Sequence, residues 1–100
     1  MDIIVLQVNL KDNVATAFAE IAPSSTVKAR DPQGRERPVE VKDAIPYGHK
    51  LALTGIPALS PVIKYGETIG RASQDISAGE HVHVHNTESC RGRGDWEGRA

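Results

Sequence analysis

Apolar residues along this chain fall in short bursts broken by turn-forming and charged positions, the rhythm of a domain built from short strands. Ile3 to Val8 is rich in β-branched residues and predicts a first strand. Val14, Ala17, Phe18 and Ile21 then recur at i, i+3, i+4 and i+7. That spacing predicts one short helix over about residues 13–21, capped by Asp12 or Asn13 and ended by Pro23. Beyond Pro23 the helical period disappears. Asp31-Pro32-Gln33-Gly34 reads as a turn, and Val39 and Val41 alternate with charged neighbours as in a half-exposed strand. Ile63 to Ala72 reads as a hairpin with Gly66 at its tip.

A loose repeat runs through this punctuation. Ile21 and Val27, Ile45 and Leu51, Ile56 and Val62, and Ile76 and Val82 are four pairs of apolar residues at one spacing. Each pair encloses a turn former: Pro23, Pro46 with Gly48, Pro57 with Pro61, and Gly79. The physical reading is a bend that feeds a strand, used four times. The uneven distances between copies exclude a regular solenoid and favour a mostly β domain with long bent hairpins.

The chemistry concentrates in Gly79-Glu80-His81-Val82-His83-Val84-His85-Asn86, which holds three of the four histidines. If the alternation continues as a strand, His81, His83 and His85 share one face while Val82 and Val84 enter a core. Neighbouring same-face imidazoles can converge on one cation or one anionic ligand. As a bare spacing, the pattern is equally a solvated strand face. His49 occupies a corresponding place in its own copy of the repeat and is the natural further donor, with Glu88 and Cys90 behind it. Lys50 beside it could hold a carboxylate as a point charge, and Lys64-Tyr65 offers a second cation and a phenol.

Composition narrows the classes. The 100 residues fit one modest core, and a net charge of −1 gives no basic footprint for nucleic acid. A single cysteine forms no internal disulfide, which suits the cytoplasm, and no apolar run is long enough to span a membrane. After Asn86 the chain turns Gly- and Arg-rich around Trp96. We therefore divide it into a domain over 1–86 and a tail over 87–100 that is expected to order on a partner. The Arg93-Gly94-Asp95 triplet in that tail is read as partner-facing and not as an integrin signal.

Four segments in register carry a resemblance. Asp12-Asn13-Val14-Ala15, Ile45 to Leu53 with its Gly48-His49-Lys50, Ile63 to Gly70, and Gly79 to Asn86 closely resemble the antifreeze-like (SAF) domain that begins the altronate/galactarate dehydratases. The chain is also similar to the small alpha subunit of sulfolactate sulfo-lyase. The resemblance implies a β-clip fold and a small subunit of a metal-dependent hydroxy-acid lyase, inactive without a large catalytic partner. A sugar acid or related hydroxy acid is the implied substrate, and a divalent metal such as Fe2+ the implied cofactor. Homo-oligomerisation is allowed. The implied catalytic and metal-contacting residues are His49, His83 and His85, with Lys50, Lys64, Tyr65 and Asn86 on the substrate. His81 is set aside as a ligand. The other reading is a freestanding ligand-binding module with no catalytic activity.

Overall fold

The computed structural model describes residues 3–89, and among these residues all regular structure is β. Six strands form one sheet in the order β4-β3-β1-β2-β5-β8: β1 (Ile4–Leu6), β2 (Val14–Ala17), β3 (Thr26–Arg30), β4 (Glu36–Glu40), β5 (Lys50–Ala52) and β8 (His81–Val82). The pairing is antiparallel except between β1 and β3. The remaining three, β6 (Pro61–Lys64), β7 (Glu67–Ala72) and β9 (Thr87–Ser89), form a second antiparallel sheet in the order β6-β7-β9. No helix among the described residues is long and apolar enough to cross a membrane.

The four-copy repeat organises this fold. In each copy the isoleucine is buried, and a turn follows in which the N–H four residues on donates to the carbonyl one residue on: Ser25 to Ala22, His49 to Pro46, Ser60 to Pro57, and Glu80 to Ser77. The third turn residue has positive φ every time, at Ser24, Gly48, Leu59 and Gly79, as a type II turn requires. Copies then associate in twos. Ile21 and Ile45 exchange a pair of 2.9 Å backbone hydrogen bonds, and Ile56 and Ile76 do the same at 2.8 and 2.9 Å. The residue four before each isoleucine (Ala17, Val41, Ala72 or, for Ile56, Ala52) bonds to a turn in another copy. Each coupled pair centres its own core. Val5, Val27, Val41 and Leu51 surround Ile21 and Ile45, and Val14, Val62, Ala72 and Val82 surround Ile56 and Ile76.

The helix expected over 13–21 is a strand, and packing explains the difference. Val14–Ala17 is buried at all four positions because it lies between the cores: Val14 faces the second, Ala15 and Ala17 the first. A strand buried on both faces loses its alternation, so small apolar residues at chance spacing imitate a helical stripe. Phe18, read as part of that stripe, is 52% exposed. Asp12 caps no helix. Its carboxylate accepts the backbone N–H groups of Asn9 (3.0 Å), Tyr65 (3.2 Å) and Gly66 (2.8 Å). Asn13 extends the same junction, accepting from Ile63 N and donating its side-chain amide to the Pro61 carbonyl. Together they tie the β6–β7 hairpin to the first sheet. That hairpin turns at Tyr65-Gly66, where φ is 59° and 74°, the pair of positive values of a type I′ turn.

Folded structure continues past the expected boundary at residue 86, because Thr87–Ser89 pairs with Gly70–Ala72 as β9. The rest of the expected tail, including Cys90, Arg93-Gly94-Asp95 and Trp96, lies outside the described residues.

Candidate functional site

Copies two and four of the repeat meet where β5 pairs with β8, with Lys50 opposite Val82 and Leu51 opposite His81. One step outward in the same register, His49 faces His83. Side chains alternate across the sheet, so Leu51 and Val82 drop into different cores. The histidines collect at the outer end of this pairing. His49 Nδ1 lies 2.9 Å from His81 Nε2, and the His49 and His83 rings stack at 4.2 Å between centroids. One ring nitrogen from each of His49, His81 and His83 falls in a group no more than 4.8 Å across.

The expected alternation through His85 stops early. The strand ends at Val82, and residues 83–86 turn back toward β9. Asn86 makes this turn. It is 2% exposed, and its amide is engaged on both sides: Oδ1 accepts from His83 N at 3.0 Å and Nδ2 donates to the His81 carbonyl at 2.8 Å. Val84, expected in the core, is therefore 82% exposed. His85 is exposed, with its ring 5.2 Å from that of His81. Asn86, read as a substrate contact, is placed by these bonds as the residue that shapes the histidine loop.

The backbone of His81 is held from a second direction, its N–H donating to Asp43 Oδ2 at 2.9 Å. Asp43 was not among the expected site residues, and no local motif points to it; the contact exists because chain segments 38 residues apart meet. Burial lowers the pKa of His81 below the ordinary imidazole value, helped by His49, His85 and His83 and opposed by Asp43. Burial also lowers that of His83, with His49, Lys50 and His85 adding to the effect. Both rings are thus biased toward the neutral form that can take a proton or a metal.

Beside the histidines, a cleft of about 400 Å³ opens between the sheets. Lys50, Lys64, Tyr65, Ile69, His83 and Thr87 line it, with exposed Glu67 on the same wall. His83 belongs to both the cluster and the cleft. Burial lowers the Lys50 pKa below the usual lysine value, and the positive charge of Lys64 lowers it further. The Lys64 ammonium sits 4.8 Å from the centre of the Tyr65 ring. Two ammonium groups on one cleft, neither in an ion pair among the described residues, favour an anionic occupant.

The donor set suits a divalent cation that accepts imidazole. Two nitrogens at right angles, each about 2.1 Å from one ion, stand about 3.0 Å apart. The His49–His81 separation of 2.9 Å matches that spacing. Of the predicted site residues, the structure brings together His49, His83, Lys50, Lys64 and Tyr65, and it adds His81.

Comparison with known proteins shows the family. A family model described as the altronate/galactarate dehydratase SAF domain matches residues 3–90. The chain is 43% identical over 84 residues to an altronate dehydratase of Bacillus subtilis, covering 84% of this chain and 16% of that enzyme. It is 54% identical over 59 residues to the (2R)-sulfolactate sulfo-lyase subunit alpha of Chromohalobacter salexigens, covering 59% of this chain and 63% of that subunit. A galactarate dehydratase (L-threo-forming) of Escherichia coli is 39% identical over 79 residues, 77% of this chain and 14% of the enzyme. The chain thus spans only a small part of the dehydratases and under two thirds of that sulfo-lyase subunit. With its match running over all the described residues, this chain belongs to the altronate/galactarate dehydratase SAF domain family.

Proposed function

We propose that this chain is the small subunit of a cytoplasmic, metal-dependent hydroxy-acid lyase and works with a large catalytic subunit. The observation that carries the reading is the junction at His83, where a cluster of three imidazoles adjoins a cleft bearing Lys50 and Lys64. The likeness to a lyase subunit alpha supports the separate-subunit form, and the likeness to dehydratases supports loss of water from a sugar acid or a related hydroxy acid.

Such an elimination breaks the C–H bond α to the carboxylate and the C–O bond at the β carbon. The proton goes to a base, the C–H electron pair becomes the new double bond, and the hydroxyl leaves as water after taking a proton from an acid. In this chain Lys50 and Lys64 hold the carboxylate, and Tyr65, an exposed residue of the cleft lining, orients a sugar hydroxyl. His83 lines the cleft and brings the imidazole cluster against the substrate, and the base and acid come from the large catalytic subunit. A divalent metal held by His49 and His83 would stabilise the negative charge that develops on the carboxylate.

The test is anaerobic purification of the tagged chain from its own cells, followed by assay of the eluate with altronate, galactarate and sulfolactate. The expected result is a stoichiometric large chain and turnover of one of these acids. Replacing Lys50 by Ala should then lower kcat/KM by about 100-fold, the loss of one charge-assisted contact of roughly 2–3 kcal/mol. A chain recovered alone and inert toward all three acids, yet still binding one of them, would make it a freestanding binding module.

A further inference from the structure

Four imidazoles gather beyond the outer ends of β5 and β8, and they are not equivalent. His49 and His81 point ring nitrogens at each other across 2.9 Å. Two lone pairs cannot face each other at that distance, so either one ring donates an N–H to the other or both nitrogens share a cation lying to one side of the line between them. His83 brings a third nitrogen into the same group, within 4.8 Å of the other two. His85 stays outside it, exposed on the turn that Asn86 creates.

The geometry points to His49, His81 and His83 as a three-imidazole site for a first-row divalent cation such as Fe2+, Co2+ or Zn2+, with His85 excluded. This rests on the same site as the proposed function and specifies its ligands. His81, which sequence reasoning sets aside, becomes a ligand, and His85, which it favours, does not.

Three features support the assignment. The donors are all imidazole nitrogens, and imidazole suits iron, zinc, copper and nickel, whereas Mg2+ and Ca2+ select oxygen. Next, each ligand's backbone is fixed independently. Gly48 sets the turn before His49, Asp43 and the Leu51 pairing hold His81, and Asn86 holds His83. Last, the motion required is confined to side chains. The three ring planes lie within 10–22° of one another, so they must turn to aim all three nitrogens at one point. That rotation is about the Cβ–Cγ bond, a soft, broad torsion, and leaves the backbone where it is.

The test is an anaerobic titration of the metal-free full-length chain with Co2+, read by the cobalt d–d absorption bands and by displacement with Zn2+. Wild type should take up a single equivalent that Mg2+ does not displace. His81→Ala should weaken Co2+ binding by about tenfold or more, and His85→Ala should leave both the bands and the affinity unchanged. His81→Gln serves as the folding control, since it keeps a polar side chain of similar reach without an imidazole nitrogen. Its thermal transition should match wild type while its cobalt affinity falls. A His85→Ala loss equal to that of His81→Ala would overturn the assignment, and so would a wild-type chain that takes up no Co2+. Because metal uptake is read on this chain without partner or substrate, its failure leaves the lyase reading standing. A failure to find a large subunit equally leaves the metal result standing.

Discussion

A proton added to His81 or His83 in the folded chain has to enter a partly buried ring beside other imidazoles. The folded state therefore holds these protons less tightly than the unfolded chain, where an imidazole titrates near about 6.5. The sign follows from linkage: a depressed folded pKa gives stability that is fully present above about pH 6.5 and is lost as pH falls through the folded value. Most carboxylates titrate lower, near about 4, so the window between pH 7.5 and 5 isolates the histidines. The metal-free chain, kept in chelator, is expected to melt at lower temperature at pH 5 than at pH 7.5. In the double variant His81→Gln, His83→Gln that difference should shrink. Thermal unfolding at both pH values measures it, and an unchanged pH dependence in the variant would mean these rings are solvated and the cluster is looser than described. Bound Co2+ or Zn2+ should steepen the same loss, because a ligand must shed its proton to hold the ion.

The repeated turn is the element from which the site is assembled, and its third position is a natural comparison among four copies. All four have positive φ, yet two carry Gly48 and Gly79 while the others carry Ser24 and Leu59. A side chain at such φ costs roughly 1–2 kcal/mol. A Cβ at Gly48 would meet open space, whereas at Gly79 it would run directly into the Glu40 carbonyl oxygen. Gly48→Ala should thus cost about 1 kcal/mol, and Gly79→Ala about 3 kcal/mol or more because backbone must move. Urea unfolding with an unchanged m-value measures the difference, and equal costs would show that the turn packs less closely on β4 than the structure has it. This element was largely legible in the amino-acid sequence, since isoleucines with turn formers at fixed offsets mark each copy. What spacing could not show was that the copies couple in twos through Ile21–Ile45 and Ile56–Ile76. Val14–Ala17 misled for a related reason: a strand's period shows only when one face is wet, and both of its faces are buried. The site was legible in the same partial way. His49 and His83 stand in recognisable motifs, but His81 joins them only through a pairing between segments 32 residues apart.

At the scale of the whole molecule, the cleft exists because two sheets that share the second core are held at a fixed offset. Lys50 lies on the larger sheet and Lys64 on the smaller, so any slackening between sheets changes the spacing of the two charges. Beside this shared core, Asp12 and Asn13 supply a polar link. The Asp12 carboxylate is 6% exposed and gathers three backbone N–H groups, two of them from the β6–β7 turn next to Lys64. Removing it by Asp12→Ala leaves those donors without their acceptor in a partly buried place, at a cost of about 3 kcal/mol. Asp12→Asn keeps one acceptor oxygen and should cost less. The two variants separate stability from function. If the junction sets the cleft, Asp12→Asn, still folded at room temperature, should bind a hydroxy-acid ligand more weakly than wild type, although residue 12 does not line that cleft. Its cobalt affinity should be unchanged, because His49, His81 and His83 are positioned by β5, β8 and the Asn86 turn. Calorimetric titration with the acid and optical titration with Co2+ read the two effects on the same preparation. Weakening of both together would mean that the sheets and the histidine cluster move as one body, and the cleft could not then be tuned independently of the metal ligands.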